Sequence, residues 1–146
     1  MQIECNGFNT PTLRSIADII KNYNVQTILE YGSGGTTHFF SQRVKRVYTV
    51  ENDPRWIQEG LPNVVTLQMT YREFHTVAGQ MKDKIDLVLI DCKKAARIAV
   101  YESVKTLDWK VLLVHDWCRD YKMYDESIYS DLKYKNIGNL RAYFRQ

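Results

Sequence analysis

The chain has 146 residues, 45% of them hydrophobic and 25% charged, with a net charge of +3. That length supports one domain with a real core, residues 1–146, and is too short for two; the average charge content excludes disorder, and the weak positive charge gives no ground for nucleic-acid binding. Three cysteines, Cys5, Cys92 and Cys118, form an odd set without paired spacing, which argues against a disulfide framework and a structural zinc site.

No apolar run approaches membrane-spanning length, and the opening MQIECNGFNTPT lacks the charged start and apolar stretch of a signal peptide. A reducing, cytoplasmic setting is the expectation. In chain order, Thr10-Pro11 reads as a capped helix start, and the apolar spacing from Leu13 to Ile20 predicts a helix to about Lys21. TILEY, Thr27–Tyr31, predicts a strand; it runs into Gly32, Gly34 and Gly35 and a helix around Thr36–Arg43. RVYTVEND, from Arg46 to Asp53, predicts a second strand, and Pro54 opens a short helix carrying Trp56 and Ile57.

A third strand is expected at Val64–Met69 and a helix at Tyr71–Met81. IDLVLID, Ile85–Asp91, is apolar on both faces, as central parallel strands are. Lys94–Leu107 predicts a helix with Ala96, Ala99, Val100 and Val104 inward, and Lys110–Asp116 a fifth strand. A short polar helix follows, then a hairpin of Leu132–Ile137 and Leu140–Arg145 turning at Gly138-Asn139. The alternation predicts an α/β fold: a Rossmann-like open sheet of about seven strands, mostly parallel, with helices on both faces and an antiparallel pair at the end.

Ligands of such sheets bind at the carboxyl ends of the strands, beside the switch point. The glycine turn, Glu51, Asp91 and His115-Asp116 all fall there. Closely spaced glycines leave free amides and let a ligand approach the backbone. A P-loop needs a lysine after the glycines, and none follows. The dinucleotide fingerprint needs a third glycine where Thr37 stands, which disfavours NAD.

EYGSGGTT at Glu30–Thr37, VEND at Val50–Asp53, IDLVLIDC and VLLVHDW together resemble the class I S-adenosylmethionine-dependent methyltransferases, most closely the small-molecule and sugar O-methyltransferases. The resemblance implies the seven-stranded sheet with its terminal hairpin. It also implies a cofactor site of Glu30, Tyr31, Gly32, Ser33, Gly34, Thr36 and Thr37, completed by Glu51, Asn52, Met69 and Asp91. Within it, Glu30 would help hold the cofactor's amino group, Glu51 would accept both ribose hydroxyls, and Asn52 and Met69 would lie near the adenine. Trp56 is expected to pack on the sheet, with an aromatic face toward the adenine as the alternative.

A hydroxyl acceptor needs a base or a metal to become a good nucleophile. Asp91, His115 and Asp116 are the candidate catalytic groups, and Asp91 with Asp116 the candidate ligands of Mg²⁺ or Mn²⁺. His115-Asp116 stands where metal-dependent relatives often carry Asp-Asp or Asp-Asn, so the match is partial. His115 can equally be a hydrogen-bonded core residue. Cys92 reads as a buried filler rather than a nucleophile. Arg119 and Tyr121 either touch substrate or lie on a solvated helix face.

Lys82, Lys84, Lys93, Lys94 and Arg97 read as a solvated basic face, and DCKK replaces the Asp-Pro-Pro-Tyr signature of amino-methyltransferases. Both features argue against a nucleic-acid partner. The expected partner is a small-molecule or glycan acceptor; either short loops and the second subunit of a homodimer complete its pocket, or the chain is one domain of something larger. A methyltransferase-like binding module without catalysis and a nucleic-acid methyltransferase are the competing readings.

Overall fold

A computed structural model describes residues 8–145. Cys5 and most of the N-terminal stretch read for a leader lie outside these residues. Seven strands form one sheet in the order β3-β2-β1-β4-β5-β7-β6. They are β1 (Thr27–Tyr31), β2 (Arg46–Glu51), β3 (Val64–Gln68), β4 (Leu87–Ile90), β5 (Val111–Val114), β6 (Lys133–Ile137) and β7 (Leu140–Phe144). β1 to β5 run parallel, while β7 is antiparallel to both β5 and β6, as the alternation and the Gly138-Asn139 turn predict.

Each face of the sheet carries its own core. Helices α1 (Thr10–Asn22) and α2 (Gly35–Ser41) cover one face, where Ile16, Ile20, Phe39 and Phe40 meet Ile28, Val47, Leu87, Leu89, Val111 and Leu113. Helices α3 (Val77–Gln80), α4 (Lys94–Ser103) and α5 (Trp117–Asp120) cover the other, over Leu29, Tyr31, Val88, Ile90, Leu112 and Val114. β4 and β5 are buried throughout, which is why they read as unbroken apolar runs. Four of the tyrosines, Tyr101, Tyr124, Tyr129 and Tyr143, pack with Trp109 and Trp117 into one aromatic block. Two of its polar edges are tied down: Tyr129 OH donates to the Tyr101 carbonyl (2.6 Å) and Trp109 Nε1 to the Val104 carbonyl (2.8 Å).

Several boundaries differ from the sequence reading. The cap of α1 is Asn9, whose Oδ1 accepts from Thr12 N (3.0 Å), so Thr10-Pro11 already lies inside the first turn. The helix expected at Tyr71–Met81 is a 3₁₀ stretch, Tyr71–Thr76, followed by the single turn of α3. Aromatic residues and threonine form helix poorly, and Thr76 Oγ1 turns back on the Glu73 carbonyl (2.6 Å). β2 stops at Glu51 because its carboxylate accepts from the Asn52 and Asp53 amides and bends the chain out of the sheet. In α4, Ala99 faces solvent and Arg97 points inward, the reverse of the expected arrangement. Among the described residues no helix is long and apolar enough to cross a membrane, and Cys92 and Cys118 are free thiols.

Leu89 is fully buried in the central strand. Leu89→Ala should lower the unfolding free energy by about 2–5 kcal/mol in urea titration, through lost burial and a residual cavity.

Candidate active site

In this strand order the connections reverse between β1 and β4, and the switch point of an open parallel sheet is where ligands bind. A cavity of about 320 Å³ lies there, lined by Gly32–Thr36, Glu51, Asp53, Arg55, Trp56, Tyr71 and Asp91–Lys93. Its volume is within the range of ligand sites, about 300–1,000 Å³.

The glycine turn is stitched down by two buried carboxylates. Glu30 is wholly enclosed beneath it. Thr36 Oγ1 donates to Glu30 Oε2 (2.5 Å), Thr49 Oγ1 donates to Oε1 (2.9 Å), and Thr37 Oγ1 also donates to Oε1. Thr37 Oγ1 in turn accepts from Gly34 N (3.0 Å), so the carboxylate reaches the backbone of the turn through a hydroxyl. Ser33 Oγ lies 2.5 Å from Thr49 Oγ1; since Thr49 spends its proton on Glu30, Ser33 is the donor of that pair. Burial pushes the Glu30 carboxyl up to about 7 despite the threonine hydroxyls, which act in the opposite direction.

Glu51 grips the turn from the end of β2. Its Oε1 accepts from Ser33 N (3.0 Å), and its Oε2 accepts from Asn52 N (2.7 Å) and Asp53 N (3.0 Å). Of the roughly four acceptor positions of a carboxylate, these amides take three and leave one on Oε1. One acceptor position on Oε1 therefore stays open beside the cavity. Gly32 has φ +100 and donates to Val50 O (2.8 Å), and a Cβ there would be driven into the Asp91 carbonyl. Only glycine lets β1 and β4 close at this point.

Of the expected cofactor residues, Gly32, Ser33, Gly34, Thr36, Glu51 and Asp91 line the cavity. Glu30 and Thr37 lie fully buried under the turn, so they support it from below. Tyr31 faces the core beside Phe74 rather than the cavity. Asn52 and Met69 are not among the lining residues, although their amides hydrogen-bond to Glu51. Trp56 departs from the expected core packing: 45% of it is exposed, and it stands on the cavity wall. Asp53, Arg55, Tyr71 and Lys93 complete the wall, with the Lys93 ammonium 5.0 Å from the Tyr71 ring centroid. Arg55 binds Asp53 through its fork and holds that carboxyl at about 2. Pro54 announces this turn in the sequence; Tyr71 and Lys93 carry no motif.

At the neighbouring strand ends, His115 Nδ1 lies 2.7 Å from Asp91 Oδ1 and 3.6 Å from Asp116 Oδ2. Phe8 packs edge-on against the imidazole at 4.7 Å between centroids. Asp116, with left-handed φ 56, is committed elsewhere. Its Oδ1 accepts from Asn139 Nδ2 (2.5 Å), and its Oδ2 pairs with Arg119 Nη2 (2.9 Å) and Arg97 Nη2 (3.4 Å). Cys92 is buried, and its thiol is pushed up to about 12 by desolvation, so it is no nucleophile.

The expected Asp91–Asp116 metal pair does not fit a divalent cation. An imidazole nitrogen stands within 4 Å of both carboxylates, and two guanidinium groups already neutralise Asp116. No group of three or more His, Cys, Asp or Glu among the described residues could hold a metal. Of the basic group read as solvated, Arg97 is buried, while Lys82, Lys84, Lys93 and Lys94 are exposed.

No protein-family model and no curated protein matches the sequence. Solved structures do match. An O-methyltransferase from Bacillus cereus in complex with S-adenosylhomocysteine superposes with a TM-score of 0.71 at 16% identity, over 96% of this chain and 84% of that one. The O-methyltransferase TomG from Streptomyces achromogenes, involved in tomaymycin synthesis and solved with S-adenosylmethionine, gives 0.71 at 13% identity over 95% and 82%. MycE, a methyltransferase of the mycinamycin pathway solved with Mg and S-adenosylhomocysteine, gives 0.61 at 11% identity; the match covers 96% of this chain and 49% of MycE. Likeness at these identities carries the fold: the chain has the fold of class I S-adenosylmethionine-dependent methyltransferases.

The raised Glu30 carboxyl has a readable consequence. The folded state holds the Glu30 proton more tightly than the unfolded chain, whose value is near 4.5. The stability this contributes is complete below about pH 4.5 and lost as the pH rises through about 7. Urea titrations of wild type and Glu30→Gln should therefore differ by an amount that moves against the wild type across that window and is flat above it.

Proposed function

We propose that this chain is an S-adenosylmethionine-dependent O-methyltransferase acting on a hydroxyl of a small molecule, with a sugar or glycan as the preferred acceptor class. The observation that carries the reading is the cavity at the β1–β4 switch point, walled by bare glycine backbone, by Glu51 and by Asp91, with the Asp91–His115 pair at its side. The two O-methyltransferases and MycE with which the fold is shared were solved with S-adenosylmethionine or S-adenosylhomocysteine, and two of them belong to small-molecule biosynthesis. Both facts support the cofactor and a small acceptor. The sugar preference rests on the resemblance of the sequence motifs.

In this reading the backbone of Gly32–Gly34 lies against the amino-acid end of the cofactor, with Glu30 acting from below as the brace of the turn. Glu51 offers its remaining Oε1 position to a ribose hydroxyl, and Trp56 and Tyr71 supply aromatic faces for the adenine. Bound S-adenosylmethionine supplies an electrophilic sulfonium methyl. The protein aligns the acceptor oxygen with that carbon for in-line displacement, which is its main contribution.

His115, whose Nδ1 lies 2.7 Å from Asp91 Oδ1, is the group that takes the acceptor's proton as the C–O bond forms and the C–S bond breaks. Asp116, bound by two arginines and an asparagine, is not the base.

Calorimetry with S-adenosylmethionine and S-adenosylhomocysteine tests the cofactor site. Both should bind, and Glu51→Ala should weaken both by about tenfold or more, the loss of one charge-assisted hydrogen bond and of the turn's anchor. Undiminished binding by a folded Glu51→Ala variant overturns the ribose assignment. His115→Ala should retain S-adenosylhomocysteine binding while losing transfer of labelled methyl to a panel of monosaccharides, phenols and small alcohols. A wild type that binds the cofactor and methylates nothing in a broad panel favours a binding module.

A further inference from the structure

The carboxylates at the end of β5 meet a set of cations that the reaction as read above does not use. Arg97 is buried in α4. Its Nε donates to the Cys92 carbonyl (2.7 Å), its Nη1 to Asp120 Oδ2 (2.9 Å), and its Nη2 to Asp116 Oδ2 (3.4 Å). Arg119 binds the same two oxygens from the solvent side, at 2.9 Å from Asp116 and 3.2 Å from Asp120. Lys94 adds a third cation, 3.4 Å from Asp120 Oδ1. The Arg119 guanidinium holds the Asp120 carboxyl below the usual range.

Two carboxylates converging on one point are the beginning of a divalent-cation site, since hard cations take oxygen ligands from such pairs. Here that point holds guanidinium nitrogen, and three positive side chains face two negative ones. Planar guanidinium groups suit this place: each presents a fork of donors, stays charged at any physiological pH, and tolerates burial better than an ammonium. We propose that Arg97 and Arg119 are positioning residues that stand in the place of a divalent cation, bridging Asp116 and Asp120 and fastening the end of β5 to the Cys92 carbonyl after β4, so that the Asp91–His115 pair is held without metal.

The proposal does not depend on the cofactor reading. It makes a gain-of-binding prediction. The full chain, stripped with chelator and desalted, is titrated with Mn²⁺ while the free-ion electron paramagnetic resonance signal is followed. Wild type should leave Mn²⁺ free up to about 1 mM, the weak end of protein cation sites. Arg97→Met/Arg119→Met, which uncovers Asp116 and Asp120, should take up one equivalent, and Mn²⁺ should raise its Tm but not that of wild type. Arg97→Lys, which leaves all three cations against the two carboxylates, should stay inert.

Since the double change removes a buried group, Arg119→Glu provides a second variant at a side chain 65% exposed; it replaces a cation with a third carboxylate and should also bind Mn²⁺. Stoichiometric uptake by wild type at micromolar Mn²⁺, lost in Asp116→Asn, overturns the proposal. So does a folded Arg119→Glu protein that takes up none. S-adenosylhomocysteine calorimetry on the wild-type sample decides the cofactor question separately.

Discussion

The wholly enclosed carboxyl group of Glu30 is the constraint around which the site is built. Burying a carboxylate is costly unless its oxygens are supplied with donors. Here three threonine hydroxyls supply them, two from the first turn of α2 and one from β2. Those bonds draw the helix start and the second strand onto the end of β1. The glycine turn is what remains between these fixed points, and it has little freedom left. Glu51 completes the clamp from the side by accepting from the Ser33 amide. The cavity wall is therefore a pre-set surface, and a ligand would not have to order it first.

The opposite end of the site follows a different logic. At the ends of β4 and β5 the charges lie at the margin of the core, and they are organised in pairs. Asp91 faces His115, while Asp116 faces two arginines and the amide of Asn139. This division separates two carboxylates that lie close in space and are of the same chemical type. One is left beside an imidazole; the other is held by two guanidinium groups and an amide. Environment, not residue type, assigns the roles.

The antiparallel hairpin takes part in this arrangement. β7 lies against β5, so the Gly138-Asn139 turn arrives beside the end of β5, where Asn139 reaches Asp116 and its carbonyl accepts from Trp117 N (3.0 Å). Arg141, one residue along β7 from Leu140, stacks 4.3 Å from the Trp117 ring centroid and 3.8 Å from that of Tyr134. The terminal hairpin thus closes the sheet edge and also steadies the end of β5.

Much of this was determined by the order of residues alone. Apolar runs such as Leu87–Ile90 and Val111–Val114 read as buried strands, the glycines at 32 and 34 mark a turn, and their alternation with helices points to the parallel sheet. That Glu51 and Asp91 stand at strand ends, where the cavity lies, was legible because strand ends are local features. What tertiary structure decided were the partnerships. That Glu30 lies beneath the turn, that Trp56 stands on the cavity wall, that Arg97 points inward to hold Asp116, and that Asn139 reaches the same carboxylate all depend on side chains from separate strands and helices meeting in space. Charge and hydrogen bonding act over a few ångströms of space, and the spacing of residues along a chain does not encode which distant groups will come within that range.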